Sequence, residues 1–365
     1  MNQTTTLQRA ADSMARLGVA ALLIGPGADL TTLTGYRAHA SERPTMLVAR
    51  ADGQHALVVP ALERPTAEVA VGGLPVLDYR EGADAFAVVA GALDGIDPHA
   101  TIGVGDQLWS AFLLGVQAAW PHARWQRASE VTRDVRMVKD AEGLAGLRAA
   151  GRAIDAVHRR MGQFLQPGRT EAEVGRLIGA AMREEGHDAV AFVIVGSGPN
   201  GAAPHHDTSD RVVAVGDAVV VDIGGPVGGW FSDCTRNYVI GSAPEGYEEA
   251  FAVLHAAQRA AVAHVRPGVT AASVDAAARR VITDAGYGEA FFHRTGHGIG
   301  LEVHEEPYIT DGNDLVLQPG MTFSVEPGIY LEGRFGMRIE DIVAVTDAGV
   351  ERLNTTDTDL IRLLP

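Results

Sequence analysis

Four acids and one imidazole occupy apolar segments of this chain. Asp222 closes the run Ala218-Val219-Val220-Val221 and opens Asp-Ile-Gly-Gly. Asp233 follows Trp230-Phe231-Ser232, and His297 lies in Gly296-His297-Gly298-Ile299-Gly300. Glu326 ends Phe323-Ser324-Val325, and Glu340 follows Met337-Arg338-Ile339. Carboxylates gathered on apolar, Gly-flanked segments repel one another and lose hydration unless cations compensate them. Two divalent ions carry four positive charges and would cancel four carboxylates. Any one of these acids alone is better read as a strand-end or salt-bridged group. The set of five predicts a two-metal site.

The elements that must position these residues show an internal repeat. Gln166-Pro167-Gly168-Arg169-Thr170 recurs as Arg266-Pro267-Gly268-Val269-Thr270, Val174 matches Val274 and Gly186 matches Gly286, always 100 residues apart. In both copies Pro-Gly ends one helix and Thr can cap the next. Thr170 with Glu173 makes a capping box. Gly216 stands six residues before Asp222, and Gly320 six before Glu326. Each of those strands is followed by another with an acid, Asp233 in one half and Glu340 in the other. The four carboxylates therefore come as two pairs from two related halves, which predicts a pseudo-twofold with the metals near its axis.

Upstream lies a small α/β pattern without a catalytic constellation. Thr6–Leu17 reads as an amphipathic helix and Ala20–Ile24 as a buried strand. Thr45–Ala49 and Ala56–Val59 read as a hairpin turning at Ala51-Asp52-Gly53. Ala85–Leu93 reads as a helix and Thr101–Val104 as a strand. The polar stretch Arg127–Lys139 is the natural boundary, giving domains 1–132 and 133–365. A helical pattern then runs from Asp140 to Phe164, with His158 expected on its surface.

Composition narrows the function. The net charge of −16 argues against a nucleic-acid or anionic-membrane surface. The single cysteine, Cys234, rules out an intrachain disulfide and suits a reducing compartment. Its strand-like context predicts a buried structural thiol rather than a nucleophile. The chain does not open on a basic segment followed by an apolar one, and it has no apolar run of 18 residues, so a cytoplasmic, unanchored protein is expected.

Several segments together resemble the metallopeptidases of the prolidase, aminopeptidase P and methionine aminopeptidase family. They are Val221-Asp222-Ile223-Gly224, Ser232-Asp233-Cys234-Thr235-Arg236, His293-Arg294-Thr295-Gly296-His297-Gly298-Ile299-Gly300, Glu302-Val303-His304-Glu305, Ser324-Val325-Glu326-Pro327-Gly328 and Arg338-Ile339-Glu340-Asp341. The resemblance implies a catalytic α+β "pita-bread" domain with an internal pseudo-twofold. The upstream segment resembles the α/β domain of the creatinase, prolidase and aminopeptidase P branch. Creatinase does not keep the five ligands that are present here.

Carried over by resemblance, Asp222 would chelate one metal with both oxygens. Asp233 and Glu340 would bridge both metals, and His297 and Glu326 would complete the coordination of the second metal. Such an oxygen-rich set suits Mn²⁺, with Co²⁺ or Zn²⁺ able to substitute. The pair would lower the pKa of a water and polarise the scissile carbonyl. Glu326 is also the candidate to take the water's proton. His205 matches the family's histidine at the substrate end, His304 the one facing the tetrahedral intermediate, and His293 a further active-site histidine of aminopeptidase P. His206 is expected to be a surface neighbour of His205. Arg338 is expected to orient Glu340 or Asp233.

Gly196-Ser197-Gly198-Pro199-Asn200-Gly201 fits G-x-G-x-x-G, but Pro199 and Pro204 oppose the helix that dinucleotide binding needs. The expected activity is hydrolysis of Xaa-Pro bonds in dipeptides or short peptides. Xaa-Pro aminopeptidase is the alternative. Prolidases often anchor the proline carboxylate through an arginine just after Val-His-Glu, near where this chain has Tyr308. Creatinase-like hydrolysis of a non-peptide C–N bond and a non-catalytic scaffold are more distant readings. The family also implies a homodimer.

Overall fold

The computed structural model describes residues 3–363. The chain divides into two compact units, one running up to Arg136 and the other from Met137 on.

The first unit is built on a six-stranded sheet. Its strands are β1 (Val19–Ile24), β2 (Met46–Arg50), β3 (Ala56–Pro60), β4 (Val76–Tyr79), β5 (Thr101–Val104) and β6 (Arg124–Arg127), in the order β4-β3-β2-β1-β5-β6. The β2–β3 hairpin is antiparallel, and Gly53 makes its turn with φ of 83°. Both faces are covered, which is why the central strands β1, β2 and β3 read as largely continuous apolar runs rather than alternating ones. Leu22, Ile24, Leu47 and Leu57 pack on one face. Ala21, Leu23, Met46 and Val58 pack on the other.

The second unit carries the repeat. In its first half, β7 (Phe192–Ser197), β8 (Ala218–Val227) and β9 (Trp230–Ile240) form an antiparallel sheet. The strand Ile361–Leu363 completes that sheet by pairing in parallel with β9. In the second half, β10 (Gly296–Gly298), β11 (Glu305–Ile309), β12 (Thr322–Val325) and β15 (Asp341–Thr346) form the corresponding sheet with the strand Gly349–Arg352. The hairpin β13 (Gly328–Leu331) and β14 (Phe335–Arg338) projects between β12 and β15.

Backbone bonds reproduce the 100-residue offset. Gly168 N–H donates to Val213 and Gly268 N–H to Leu317. Glu171 N–H donates to Arg211 and Ala271 N–H to Leu315. Gly168 and Gly268 have φ of 94° and 88°, in the left-handed region that glycine enters without a Cβ penalty. Thr170 caps the helix Glu171–Glu184 through the Glu173 amide, with the reciprocal Glu173 bond present. Thr270 caps Ala271–Asp284 through Ser273.

The long helical pattern is interrupted. One helix spans Ala141–Arg159, and a separate turn spans Met161–Phe164. The expectation of a surface His158 is wrong. The helix lies against β9, so His158 is buried, with Nδ1 2.9 Å from the Tyr238 hydroxyl and Nε2 3.1 Å from the Cys234 carbonyl. A ring that donates to that carbonyl from Nε2 accepts from Tyr238 at Nδ1 and stays neutral. Burial, with the nearby Arg236 charge, pushes its pKa down to about 3. Cys234 is buried on the same side of β9, among Ile223, Tyr238 and the helices, and burial raises its thiol pKa well above the usual value.

A buried ion pair joins the two halves. Arg236 on β9 donates to Asp341 at 2.7 Å and to the Glu340 carbonyl at 2.6 Å, and both side chains are almost wholly buried. Removing Arg236 leaves the buried Asp341 with only the exposed Arg352 as a charge partner. Arg236→Met is expected to lower the unfolding free energy by about 3 kcal/mol. Urea unfolding would measure it, and a change below about 1 kcal/mol would show that Gln258 and Arg352, which also hold Asp341, suffice without it.

Candidate metal centre

The two sheets deliver the four acids by their registers. Asp222 pairs with Thr235 and Gly224 with Asp233. Asp222 and Asp233 are therefore diagonal neighbours on one face of the β8–β9 ladder. Val219, Val221, Ile223 and Cys234 take the opposite face and fill the core. The second pair is set differently. Val325 pairs with Asp341 and Gly328 with Arg338. The same register puts Glu326 opposite Glu340, across a gap in the ladder.

His297 enters from β10 between β11 and β12. Its glycine neighbours are required by close backbone approach. A Cβ on Gly296 would stand 1.9 Å from the Ser324 carbonyl, and one on Gly298 would stand 2.3 Å from the backbone of Glu306. The His297 amide donates to Ser324 Oγ at 2.9 Å, and Nδ1 lies 3.1 Å from the Gly298 carbonyl. With Nδ1–H committed there, Nε2 presents its lone pair to the acids. Nε2 is 3.2 Å from Glu326 Oε1 and 3.6 Å from Asp233 Oδ2. Asp233, His297 and Glu340 form the tightest group, with ligand atoms all within 4.8 Å of one another.

Three oxygens at this centre, Asp222 Oδ1, Asp233 Oδ1 and Glu340 Oε1, are buried without a hydrogen-bond partner. A buried acceptor left unmade costs roughly 1–3 kcal/mol, and more when charged. Oxygens from both halves thus converge on one neutral imidazole nitrogen, a donor set that fits hard or borderline divalent cations. The electrostatics agree. Burial first, then Glu340 and Asp222, push the Asp233 carboxyl well above its usual range. Burial, then Glu326 and Asp222, do the same to Glu340. Burial raises Glu326 to about 7 against the opposing Arg338 charge. Burial, helped by His304, lowers His297 to about 3.

Arg338 corrects an expectation. It donates through Nη2 to Asp222 rather than to Glu340 or Asp233. Its Nε donates to Thr235 Oγ1 at 3.2 Å, and Thr235 in turn donates to Glu340 at 2.8 Å. Its Nη1 donates to the Tyr330 hydroxyl at 2.7 Å. Tyr330 lies 3.0 Å from His293 Nε2, while His293 Nδ1 is held by the Arg294 carbonyl. Burial, reinforced by Arg338, takes His293 to about 4. Tyr330 and Thr235 were not singled out from the sequence. Neither carries a local signal, because their partners lie on other strands.

The remaining histidines fall at the rim. His304 is exposed, with its ring 4.2 Å from that of His297 and perpendicular to it. His205 is exposed on the loop after β7, and the preceding Pro204 carbonyl faces Arg338 at 3.4 Å. His206 is not a bystander, since its Nε2 lies 2.7 Å from the buried Glu171 carboxylate. The glycine-rich segment leads from β7 into a 3-10 turn, Gly198–Ala202, not an α-helix.

Comparison with known proteins bears on all of this. The model of metallopeptidase family M24 matches residues 145–347, and that of the creatinase/prolidase N-terminal domain matches 6–138. A probable dipeptidase PepE of Mycobacterium tuberculosis is 50% identical over 97% of this chain and 95% of its own length. An Xaa-Pro dipeptidase of Pyrococcus furiosus is 32% identical over 85% of this chain and 87% of its own. The crystal structure of dipeptidase PepE from Mycobacterium ulcerans superposes with a TM-score of 0.94 at 49% identity, covering 100% of this chain and 98% of that one.

Proposed function

The chain belongs to metallopeptidase family M24, in its prolidase and aminopeptidase P branch with the pita-bread catalytic fold, and from that premise we propose that it is an Xaa-Pro dipeptidase using two divalent metal ions. The observation that carries the proposal is the set of unpartnered buried carboxylate oxygens, on Asp222, Asp233 and Glu340, of which the last two residues group with His297. In this reading residues 1–132 are the creatinase-like domain and 133–365 the catalytic one. Asp222, Asp233, His297, Glu326 and Glu340 would hold the metals, and Asp233 and Glu340 would be the ligands whose loss disturbs both ions. Mn²⁺ suits this oxygen-rich set best, and Co²⁺ or Zn²⁺ could substitute. We also propose a cytoplasmic homodimer. Among the described residues no helix is long and apolar enough to cross a membrane.

The metals supply Lewis-acid polarisation of the scissile carbonyl and a nucleophile at neutral pH. The protein's own groups do the rest. Glu326, ionised in the metal-loaded site, is placed to accept the proton of the attacking water and pass it to the proline nitrogen as that nitrogen leaves. His304 and His205 stand at the rim, where an imidazole N–H stabilises developing oxyanion charge more than the ground-state carbonyl. His293, held by Tyr330, fixes Arg338 and through it Asp222.

Dipeptidases must bind a free proline carboxylate, and Tyr308 stands near the position of the arginine that often does so. Here the Arg294 guanidinium lies over the Tyr308 ring, 4.5 Å from its centroid. Its charge acts on His297, His304 and Glu326. Arg294 is the cation we assign to the substrate carboxylate, and it favours dipeptidase over aminopeptidase action. A charge-assisted hydrogen bond contributes about 1.5–3 kcal/mol. Arg294→Ala is therefore expected to raise KM for Ala-Pro by about 10-fold or more while leaving Ala-prolinamide unchanged. Equal losses on both would remove this assignment. Turnover of Ala-Pro-Ala without turnover of Ala-Pro would replace the dipeptidase reading by the aminopeptidase one.

A further inference from the structure

Glu171 accepts hydrogen bonds from four residues, and the chemistry above does not use it. It opens the helix Glu171–Glu184 and is fully buried. A lone acid in the first helical turn favours the helix dipole from the surface and needs no burial. Here Oε1 accepts from the Ser197 amide at 2.7 Å and the Ser197 hydroxyl at 2.6 Å. Oε2 accepts from the Ser209 hydroxyl at 2.6 Å, the Ser209 amide at 3.2 Å and His206 Nε2 at 2.7 Å. The Asn200 amide reaches both oxygens. Burial works against the charge, but the bonds from Ser197, Ser209 and His206 outweigh it and hold the carboxyl below its usual range.

Every one of these partners lies on the end of β7 or on the loop that follows, and that loop carries His205. The residues on either side of His205 are both held. The Pro204 carbonyl faces the Arg338 guanidinium that pairs with Asp222, at 3.4 and 3.5 Å. His206 is fixed by Glu171. The His205 backbone is thus clamped from the metal side by Arg338 and from behind by Glu171, while its own ring is left free at the rim.

The other half has a counterpart. Buried Asp275, on the helix Ala271–Asp284, accepts from the Thr295 amide at 3.1 Å and hydroxyl at 2.7 Å. The Thr295 carbonyl then accepts from the Glu326 amide at 2.7 Å. Each half therefore uses one buried helix carboxylate to pin one site segment.

We propose that Glu171 is a positioning residue for the hydrolysis, acting through the 198–209 loop to set His205. The inference rests on the reading of His205 as a group that contacts the reacting substrate. Glutamine at 171 keeps the volume but turns half of the carboxylate into a donor that faces donors.

A double-mutant cycle tests it on the Mn²⁺-loaded full chain with Ala-Pro as substrate. His205→Ala and Glu171→Gln are each expected to lower kcat by 10-fold or more, with bound Mn²⁺ unchanged. The double variant is expected to be no slower than His205→Ala alone. His206→Ala, which removes only the part-exposed partner, should give a smaller loss in the same direction and takes the place of Glu171→Gln in the cycle if that variant does not fold. His206→Gln restores a donor and should recover most of the rate. Losses that multiply in the double variant, or an unimpaired Glu171→Gln beside an impaired His205→Ala, would overturn the inference. A fully active His205→Ala would instead overturn the role of His205, and the inference with it.

Discussion

Glu340→Ala is expected to abolish hydrolysis of an Xaa-Pro dipeptide, with kcat falling by well over about 100-fold even at saturating Mn²⁺. The magnitude follows from position. Residues one step removed from a metal typically cost about 10- to 100-fold when lost. Glu340 offers its own orphaned oxygen to the centre, and its other oxygen is fixed by Thr235. Asp233→Ala should behave alike, because its ligand oxygen belongs to the same tight group. Steady-state kinetics with metal analysis would check both, and wild-type turnover in either would refute the shared-ligand role. Stability gives an independent readout. In the metal-free protein Glu340 is a carboxyl pressed by Glu326 and Asp222. Glu340→Gln should therefore raise the metal-free Tm while shrinking the Tm gain on adding Mn²⁺.

Chelation should do more than silence the enzyme; it should make its stability fall with rising pH where that of the loaded protein does not. In the metal-free fold Asp233 and Glu340 have pKa values well above the ordinary 3.8 and 4.5, and Glu326 is raised to about 7. Between the ordinary and raised values the folded chain binds more protons than the unfolded one, so stability falls as pH rises. Buried imidazoles act oppositely. His297 and His158 sit near about 3 and His293 near about 4, so their contribution rises with pH only until the ordinary value of 6.5 is passed. The window from pH 6.5 to 8 therefore isolates the carboxyls. Each one removes at most about 1.4 kcal/mol per pH unit, and only until the pH passes its own folded-state pKa. Calorimetry should show Tm of the chelated protein dropping across that window, and Glu326→Gln should flatten the part near pH 7. The Mn²⁺-saturated protein should not drop, because its ligands are already deprotonated. A chelated protein that gains stability from pH 6.5 to 8 would contradict this account.

The four acids and the imidazole were legible because metal chemistry leaves a local trace: charged groups at fixed places in apolar strands, with glycine where backbones must close. The repeat was legible for the same reason, since Gly168 and Gly268 need a backbone that other residues resist. What was not legible depends on pairing at a distance. Arg338 meets Asp222 across 116 positions, and its own segment does not say which acid it will choose. His158 was misread because one polar residue on an amphipathic helix does not announce that β9 lies beneath it. Glu171 was passed over in favour of its neighbours Thr170 and Glu173, whose capping box is a local pattern. Its partners lie 26 to 38 positions away.

Protein synthesis runs in one direction, and the sheet that carries Asp222 and Asp233 does not. The open edge of β9 is closed by Ile361–Leu363, a strand that leaves the ribosome only after the whole second half. Until then the first acid pair stands on an unfinished sheet, without His297, Glu326 or Glu340. An ion met early finds no complete shell to enter.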